Sequence, residues 1–482
     1  MRTCSHMPAL PFIGRQVELE RLLETTQKRT ASFIVVRGRR RIGKSRLIEE
    51  FAKHFTHFYS FVGLPPDKGT TAGQQLEEYC RQMAREFHTP FAPYQDWSDA
   101  LWAVGERVQQ GKVLLFFDEI SWMGSRDPNF LGKIKNAWDQ RFKKNARLVF
   151  VVCGSASSWI EENLLRSTGF VGRISFTMTL EELPLWDCDR FWQDGIAAYE
   201  RFKILSVTGG IPRYLEEIDP KRGAEDNIKR LCFTPGGLLV REFEQTFSNL
   251  FLRDSEYYKK ILEILCDGPR ERSAISTLLA RSYRGRVTEY LEELQLSGFV
   301  ARDYTWSLKS GKPLKLSRFR LKDNYMRFYL KYIQQDLEKI NQGGFVFTSL
   351  TSLPEWLGIM GLQFGNLVLN SRHQLHRLMR LSPDEIVSDN PFFQHKTDRQ
   401  AGCQIDYLIH TKFDCLYVCE IKLSRNEIGA DIIPEVKAKI AALSRPKSMS
   451  CRPVLIHVNG VSEEVSESGY FAHIIDAGRL LS

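Results

Sequence analysis

Residues Gly38 to Ser45 read GRRRIGKS, a Gly-x4-Gly-Lys-Ser spacing. Glycines at both ends of such a loop let backbone N–H groups turn toward phosphate oxygens at the start of a helix. Lys44 would reach the β- and γ-phosphates of a nucleoside triphosphate, and the Ser45 hydroxyl would ligate Mg2+. Gly38, Arg39, Arg40, Arg41, Ile42, Gly43 and Arg46 complete the loop, which grips phosphate through its main chain. The side chains of Arg39, Arg40 and Arg41 read as solvated charge, with a contact to nucleic acid or a neighbouring subunit as the alternative. Farther on, GKVLLFFDEISWM ends an apolar run in Asp118 and Glu119. Asp118 suits the Mg2+ shell, and Glu119 suits orientation and deprotonation of an attacking water. A helix N-cap is the plain alternative for such a pair. A third run, RLVFVVCGSASSWI, ends in Gly154 and Ser155. Ser155 can meet the γ-phosphate or the water, or be a turn serine. Near the C-terminus, LYVCEIKLS sets Glu420 and Lys422 two apart in an otherwise apolar run.

These groups need elements to hold them. Phe33 to Val36 and Val113 to Phe117 are continuous apolar runs, as strands buried on both faces require. Leu47, Ile48 and Phe51 make an amphipathic helix after the loop. Asp118 and Glu119 then stand at a strand's carboxyl end, where ligands bind in open α/β sheets. Leu183 to about Arg253 is helical in period and rich in aromatics. Three helical segments follow, EYYKKILEILCDG, RERSAISTLLARS and RGRVTEYLEELQLSGFV, and then the alternating stretch YTWSLKSGKPLKLSRFRL, turning at Gly311 and Pro313. Three helices and a β-ribbon is the winged helix-turn-helix order. Residues 251–340 carry about +6 of the formal charge, which suits DNA. Arg281, Arg284 and Arg286 open the third helix, and Lys309, Lys312, Lys315, Arg318 and Arg320 crowd the wing. Packing and autoinhibition is the alternative role for such a module.

MGLQFGNLVLNSRHQLHRLM reads as one amphipathic helix of a last domain. CQIDYLIHTKFDCLYVCEIKLS reads as two strands joined by a turn at Thr411 to Asp414. Pairing about that turn sets residues whose numbers sum to about 825 opposite each other. Asp406 then falls opposite position 419, or 420 with a one-residue change in the turn. Asp406 and Glu420 become neighbouring Mg2+ ligands, with Lys422 beside them to orient or activate water. A salt-bridged strand pair on a solvent face is the plain alternative.

The chain has 482 residues, room for three or four domains, and 43% hydrophobic residues, enough for sizeable cores. The net charge of +9 is a mild pointer to nucleic acid. Ten cysteines are scattered without CxxC pairs, and Cys415 and Cys419 read as core thiols. MRTCSHMPALPFIG lacks the apolar segment of a signal peptide, and no apolar run approaches the ~18 residues of a membrane span. A cytoplasmic protein with reduced thiols is expected.

FIGRQVELERL (Phe12 to Leu22), GRRRIGKSRL, FFDEISWM, GFVGRIS around Arg173 and TGGIPRYL together resemble the prokaryotic archaeal-type ATPases, in the AAA+/STAND branch of P-loop NTPases. The resemblance implies that Gly14 and Arg15 lie near adenine. It implies that Gly210 to Pro212 sits in a helical lid and senses nucleotide, and that Arg173 approaches the phosphates within the chain or across an interface. Many members carry a winged helix ending in a motif like RFRLKDNYMRFYLKYI and a C-terminal PD-(D/E)XK nuclease core, which Asp406 and Glu420-x-Lys422 resemble. Where that family often has Phe-Glu, this chain has Phe364-Gly365. Glu435 is a candidate substitute, and Gln363 reads as a surface residue that could assist.

The expectation is therefore a multidomain α/β chain. Residues 1–182 would form a P-loop NTPase core with a parallel sheet, 183–253 a helical lid, 254–342 a winged helix and 343–482 an α/β restriction-endonuclease-like domain. It would bind and hydrolyse ATP with Mg2+ and process DNA, with a homo-oligomer or protein partner as further possibilities. The alternative is a nucleotide-switched STAND-type regulator or scaffold whose degenerate nuclease domain binds DNA or a protein. A protein-remodelling AAA+ chaperone is a weaker third, since no pore-loop aromatic motif stands out.

Overall fold

The computed structural model describes residues 11–65, 69–155, 157–192, 195–250, 255–279, 285–345, 348–398 and 400–482, without the side chains of 157 and 248–250. The chain divides at Glu182/Leu183 into two compact units. Among the described residues no helix is long and apolar enough to cross a membrane.

The first unit is built on a five-stranded parallel sheet. Its strands are β1 (Ser32–Gly38), β2 (His57–Val62), β3 (Val113–Asp118), β4 (Leu148–Gly154) and β5 (Phe176–Leu180), in the order β2-β3-β4-β1-β5. Every residue of β3 and β4 is buried, which accounts for their unbroken apolar runs. Phe33, Phe117 and Phe150 meet in the core, Phe117 edge-on to Phe150 at 5.0 Å. Because β4 lies between β3 and β1, three neighbouring strands deliver Asp118, Gly154 and Gly38 to one edge of the sheet.

The second unit opens with helices at Leu185–Asp189, Ala198–Thr208, Pro212–Leu215, Ala224–Cys232 and Leu238–Leu250. After the helix Ser255–Cys266 come β6 (Arg270–Glu271), helices Arg272–Leu278 and Val287–Leu296, then β7 (Val300–Trp306) and β8 (Pro313–Leu321). These strands form an antiparallel sheet in the order β6-β8-β7. Arg281 and Arg284 lie outside the described residues.

A second five-stranded sheet comprises β9 (Ile386–Gln394), β10 (Cys403–Thr411), β11 (Cys415–Lys422), β12 (Ser450–His457) and β13 (His473–Asp476). Their order is β13-β12-β11-β10-β9, antiparallel from β9 to β11 and parallel from β11 to β13. One face of this sheet packs Tyr407, Ile409, Tyr417 and Cys419 against Phe202, Phe364 and Leu367. The helices after residue 183 therefore share a core with the last sheet. The other face packs Leu408, Leu416 and Val418 with Trp306 and Phe392.

The structure departs from the sequence reading in several places. The stretch around Met360–Met379 forms two helices, Trp356–Asn370 and Arg372–Leu378, because the Asn-Ser pair breaks the ladder at Ser371. Gln363 is buried, not on the surface: its Oε1 accepts from Arg327 Nη1 at 3.2 Å, and Arg327 is itself buried. Arg39 is buried and Arg40 and Arg41 half-buried, so the loop arginines are not simply solvated. Arg320 is buried in an ion pair with Asp303, so its guanidinium faces inward and not toward solvent. Among the described residues the cysteines, Cys415 and Cys419 included, are free and mostly buried.

Candidate functional site

The phosphate loop is shaped by its glycines. Gly38 has φ +151°, and a Cβ there would lie 2.6 Å from the Leu180 carbonyl oxygen. Gly43, at φ 91°, caps the helix Lys44–Ala52 in a left-handed conformation that a side chain would strain. Lys44 is buried and donates to the carbonyls of Gly38 at 2.9 Å and Arg39 at 3.0 Å, closing the loop on itself. Ser45 Oγ donates to Asp118 Oδ2 at 2.5 Å. A hydroxyl and a carboxylate in contact are hard oxygen donors that fit Mg2+.

Asp118 is held on its other oxygen as well. Oδ1 accepts from the Glu119 backbone N–H at 2.9 Å and from the Cys153 thiol at 3.1 Å. Sequence reasoning missed Cys153; its only signal was its place one residue before the end of β4. Glu119 adopts φ 49°, and its Oε2 accepts from Ser155 N at 3.1 Å and Ser155 Oγ at 3.0 Å. Glu119 also sits at the N-cap position of the short helix Ile120–Met123, though its side chain caps nothing there. Burial pushes the Glu119 carboxyl above its ordinary range, against the pull of Lys44.

Gly14 and Arg15 precede the helix Gln16–Thr25, both with positive φ. Arg15 is buried and donates to the carbonyls of Ile42 at 3.1 Å and Glu181 at 2.6 Å. It thus ties the first helix to the phosphate loop. Arg173 is engaged by Asp139, donating through Nη2 at 2.7 Å and Nε at 3.0 Å. That guanidinium, by its hydrogen bonds, holds the Asp139 carboxyl down to about 2. Arg46 is exposed, and Pro212 is the first residue of its short helix in the second unit.

Residues 12–218 match the sequence profile of a family described as an ATPase domain predominantly from Archaea. This segment is an archaeal-type ATPase domain. The match takes in the ATPase domain's phosphate loop, Asp118-Glu119, Arg173 and the Gly210–Pro212 element. The uncharacterized protein MJECL04 of Methanocaldococcus jannaschii is 26% identical over 343 residues, covering 69% of this chain and 71% of that one. Among solved structures, the Walker-type ATPase PABY2304 of Pyrococcus abyssi aligns at 18% identity and TM-score 0.48, covering 66% of this chain and 96% of that one. The Aeropyrum pernix ORC2 protein, in complexes with ADPNP and ADP, aligns at 14% identity and TM-score 0.41, covering 70% and 96%.

Beyond the ATPase domain, the second unit assembles an acidic site of its own. Tyr407 pairs with Cys419 and Thr411 with Cys415, which continues to Asp406 opposite Glu420. This is the one-residue change allowed for the turn: three residues, Lys412 to Asp414, link the strands, and Asp414 is left-handed at φ 50°. The β9–β10 register shifts between Ile405 and Leu408, a bulge that re-aims Asp406. Asp406 Oδ2 accepts from the Ile421 backbone N–H at 3.0 Å. Glu420 is buried, and Lys422 lies 3.0 Å from its Oε1.

Two residues of the helix Ile432–Ala442, Glu435 and Lys439, complete the group one turn apart. Lys422 lies 3.0 Å from Glu435. Lys439 lies 2.5 Å from Glu420 Oε2 and 3.2 Å from Glu435. Burial raises the Asp406 carboxyl; burial and then the Asp406 charge raise Glu420. The group lines a cavity of about 430 Å3 whose far wall includes Gly361, Gly365, Asn366 and Arg318. A Cβ at Gly365 would meet no atom within 4 Å, so a side chain at this position would enter open space. Two carboxylates over a cavity suit Mg2+, which keeps several waters. Among the described residues no group of three His, Cys, Asp or Glu is placed to cage a metal ion.

The basic residues separate. Lys309, Lys312 and Lys315 are exposed along the β7–β8 turn and β8. Arg286 is exposed, pairs with Glu289 at 2.8 Å and lies over the Tyr290 ring. Arg318 is half-buried at the cavity, 4.0 Å from the Phe393 ring centroid and hydrogen-bonded to Gln404 at 3.1 Å.

Proposed function

We propose that this chain is an ATP-hydrolysing DNA-processing protein whose C-terminal region is a metal-dependent DNA nuclease. The observation that carries the reading is the meeting of Asp406, Glu420 and Lys422 at one cavity, from two strands that read as core on either side. The proposed division is an ATPase core at 1–182, a helical lid at 183–253, a winged helix at 254–342 and a PD-(D/E)XK-like domain at 343–482. The helix order and the β6-β8-β7 sheet support the winged helix, and the mixed sheet β9 to β13 supports the nuclease core.

In the ATPase site, Lys44 leaves the Gly38 and Arg39 carbonyls for the β/γ-phosphates, and the loop amides hold the remaining oxygens. Ser45 and Asp118 would hold Mg2+, which would neutralise phosphate charge when bound. Glu119 takes the proton of the attacking water, with Ser155 fixing its carboxylate. Arg173 reaches the phosphates only after release from Asp139. In this reading Cys153 orients Asp118. Cys153→Val is expected to raise the Mg2+ concentration for half-maximal ATP hydrolysis about tenfold, and Cys153→Ser to restore it, because outer partners of a ligand commonly carry 10- to 100-fold in metal affinity. A steady-state Mg2+ titration checks this.

In the C-terminal site, Asp406 and Glu420 would hold a divalent ion, which would act on the phosphodiester as a Lewis acid. Lys422 orients the attacking water. Arg281, Arg284, Arg286, Lys312 and Lys315 hold the DNA backbone, and Arg318 meets it at the cavity mouth. The test is cleavage of single-stranded, duplex and branched DNA with Mg2+ or Mn2+, with and without ATP. Wild type is expected to cut, Glu420→Ala and Lys422→Ala to lose at least about a hundredfold in rate, and Lys44→Ala to show whether ATP gates cutting. An unchanged rate in Glu420→Ala sinks the nuclease reading. The open space at Gly365 favours a second reading, a nucleotide-switched scaffold that binds DNA or a protein without cutting. Intact DNA in the presence of ongoing ATP hydrolysis would select it.

A further inference from the structure

Both oxygens of Glu420 are taken. Oε1 faces the Lys422 ammonium at 3.0 Å and Oε2 the Lys439 ammonium at 2.5 Å. Glu435 meets the same two lysines, at 3.0 and 3.2 Å, so the four side chains close a ring of alternating charge. The buried Glu420 thus has its neutralising charge supplied entirely from within the chain. The two lysines are not equivalent. Lys422 is two residues from Glu420 on β11, confined to the same face of one strand. Lys439 comes from a separate helix on a long flexible stem, so it can withdraw without moving β11. An ammonium in contact with Glu420 Oε2 takes the carboxylate oxygen that a divalent ion would need.

We propose that Lys439 is a built-in cation that occupies Glu420 Oε2, the oxygen a divalent ion beside Asp406 and Glu420 would need, and must withdraw before a metal ion can enter. The inference rests on the nuclease reading of this site. With Lys439 in place, Glu420 has no free oxygen for a metal. With Lys439 withdrawn, Asp406 and Glu420 offer two adjacent carboxylates at the cavity, while Lys422 keeps its place. A phosphodiester entering the cavity gives the displaced ammonium a new partner, so metal and DNA would load together and the empty site would stay metal-poor.

The test reads binding, not cutting. Mn2+ is titrated calorimetrically into the nucleotide-free full-length chain, all variants in an Asp118→Ala background to remove a metal ligand of the ATPase site. Lys439→Met is expected to bind Mn2+ at least about tenfold more tightly than the Asp118→Ala parent. Lys439→Arg, which keeps the cation, is expected to stay as weak as that parent. Adding Glu420→Gln to Lys439→Met is expected to remove the gain. Equal, Glu420-dependent binding with and without Lys439 overturns the proposal and leaves the nuclease reading standing. No Mn2+ binding in any variant overturns both.

Discussion

Replacement of Glu119 by Gln is expected to lower ATP turnover by about 10²- to 10⁴-fold, the usual worth of a general base, while ATP binding survives. The substitution keeps the side chain's shape and removes its proton affinity. The phosphate loop, Lys44 and the Ser45–Asp118 contact are untouched by it. The wild-type pH profile carries the same information. The base works only when ionised, and burial holds the Glu119 carboxyl above the ordinary value of about 4.3. Activity is therefore present above that raised pKa and falls as pH drops through it. The acid limb of kcat should sit above the usual carboxylate range and vanish in Glu119→Gln. A variant as active as wild type would remove Glu119 from the reaction and point to a water held by other groups.

Asp303→Ala is expected to destabilise the β7–β8 sheet by about 3–5 kcal/mol, the cost of stranding one member of a buried ion pair. Asp303 and Arg320 are both buried, and the guanidinium grips the carboxylate at 2.8 and 3.1 Å. Arg320 also donates to Asn366, joining the sheet to the helix Trp356–Asn370 that walls the cavity. Removing the carboxylate leaves the buried guanidinium without its counter-charge. Hydrogen exchange of the segment 300–321 should quicken at least about a hundredfold. The double variant Asp303→Leu/Arg320→Met should recover most of the protection, since well-packed apolar residues often replace a buried pair without loss. Slow exchange in Asp303→Ala would mean that water reaches Arg320.

How far the site is legible in the sequence differs by element. The phosphate loop is readable because its chemistry is local. Gly38 and Gly43 are needed for backbone conformation, and Lys44 and Ser45 follow at the helix start. The β10–β11 hairpin is readable to within one residue because strand period and turn length set the pairing. A left-handed Asp414 decides between the two registers, and only the folded turn reveals it. Gln363 reads as polar surface yet is buried, because its amide serves the buried Arg327, 36 residues away. Arg320 reads as a wing cation yet points into an ion pair, because strand alternation alone does not say which face of a short ribbon is covered.

By itself the sequence determined the local chemistry: the glycine-shaped loop, the acids ending an apolar strand, and an acid and base two apart on β11. These depend on neighbours along the chain, where spacing maps directly onto geometry. Tertiary structure alone decided the rest. It set β4 between β3 and β1, so that Cys153 and Ser155 hold Asp118 and Glu119. It packed the helix Ile432–Ala442 against the last sheet, so that Lys439 occupies Glu420. The physical reason is the same in both cases. A side chain's charge and hydrogen-bonding capacity are local properties, but the partner that uses them is chosen by how separate elements pack, and no short-range spacing encodes that choice.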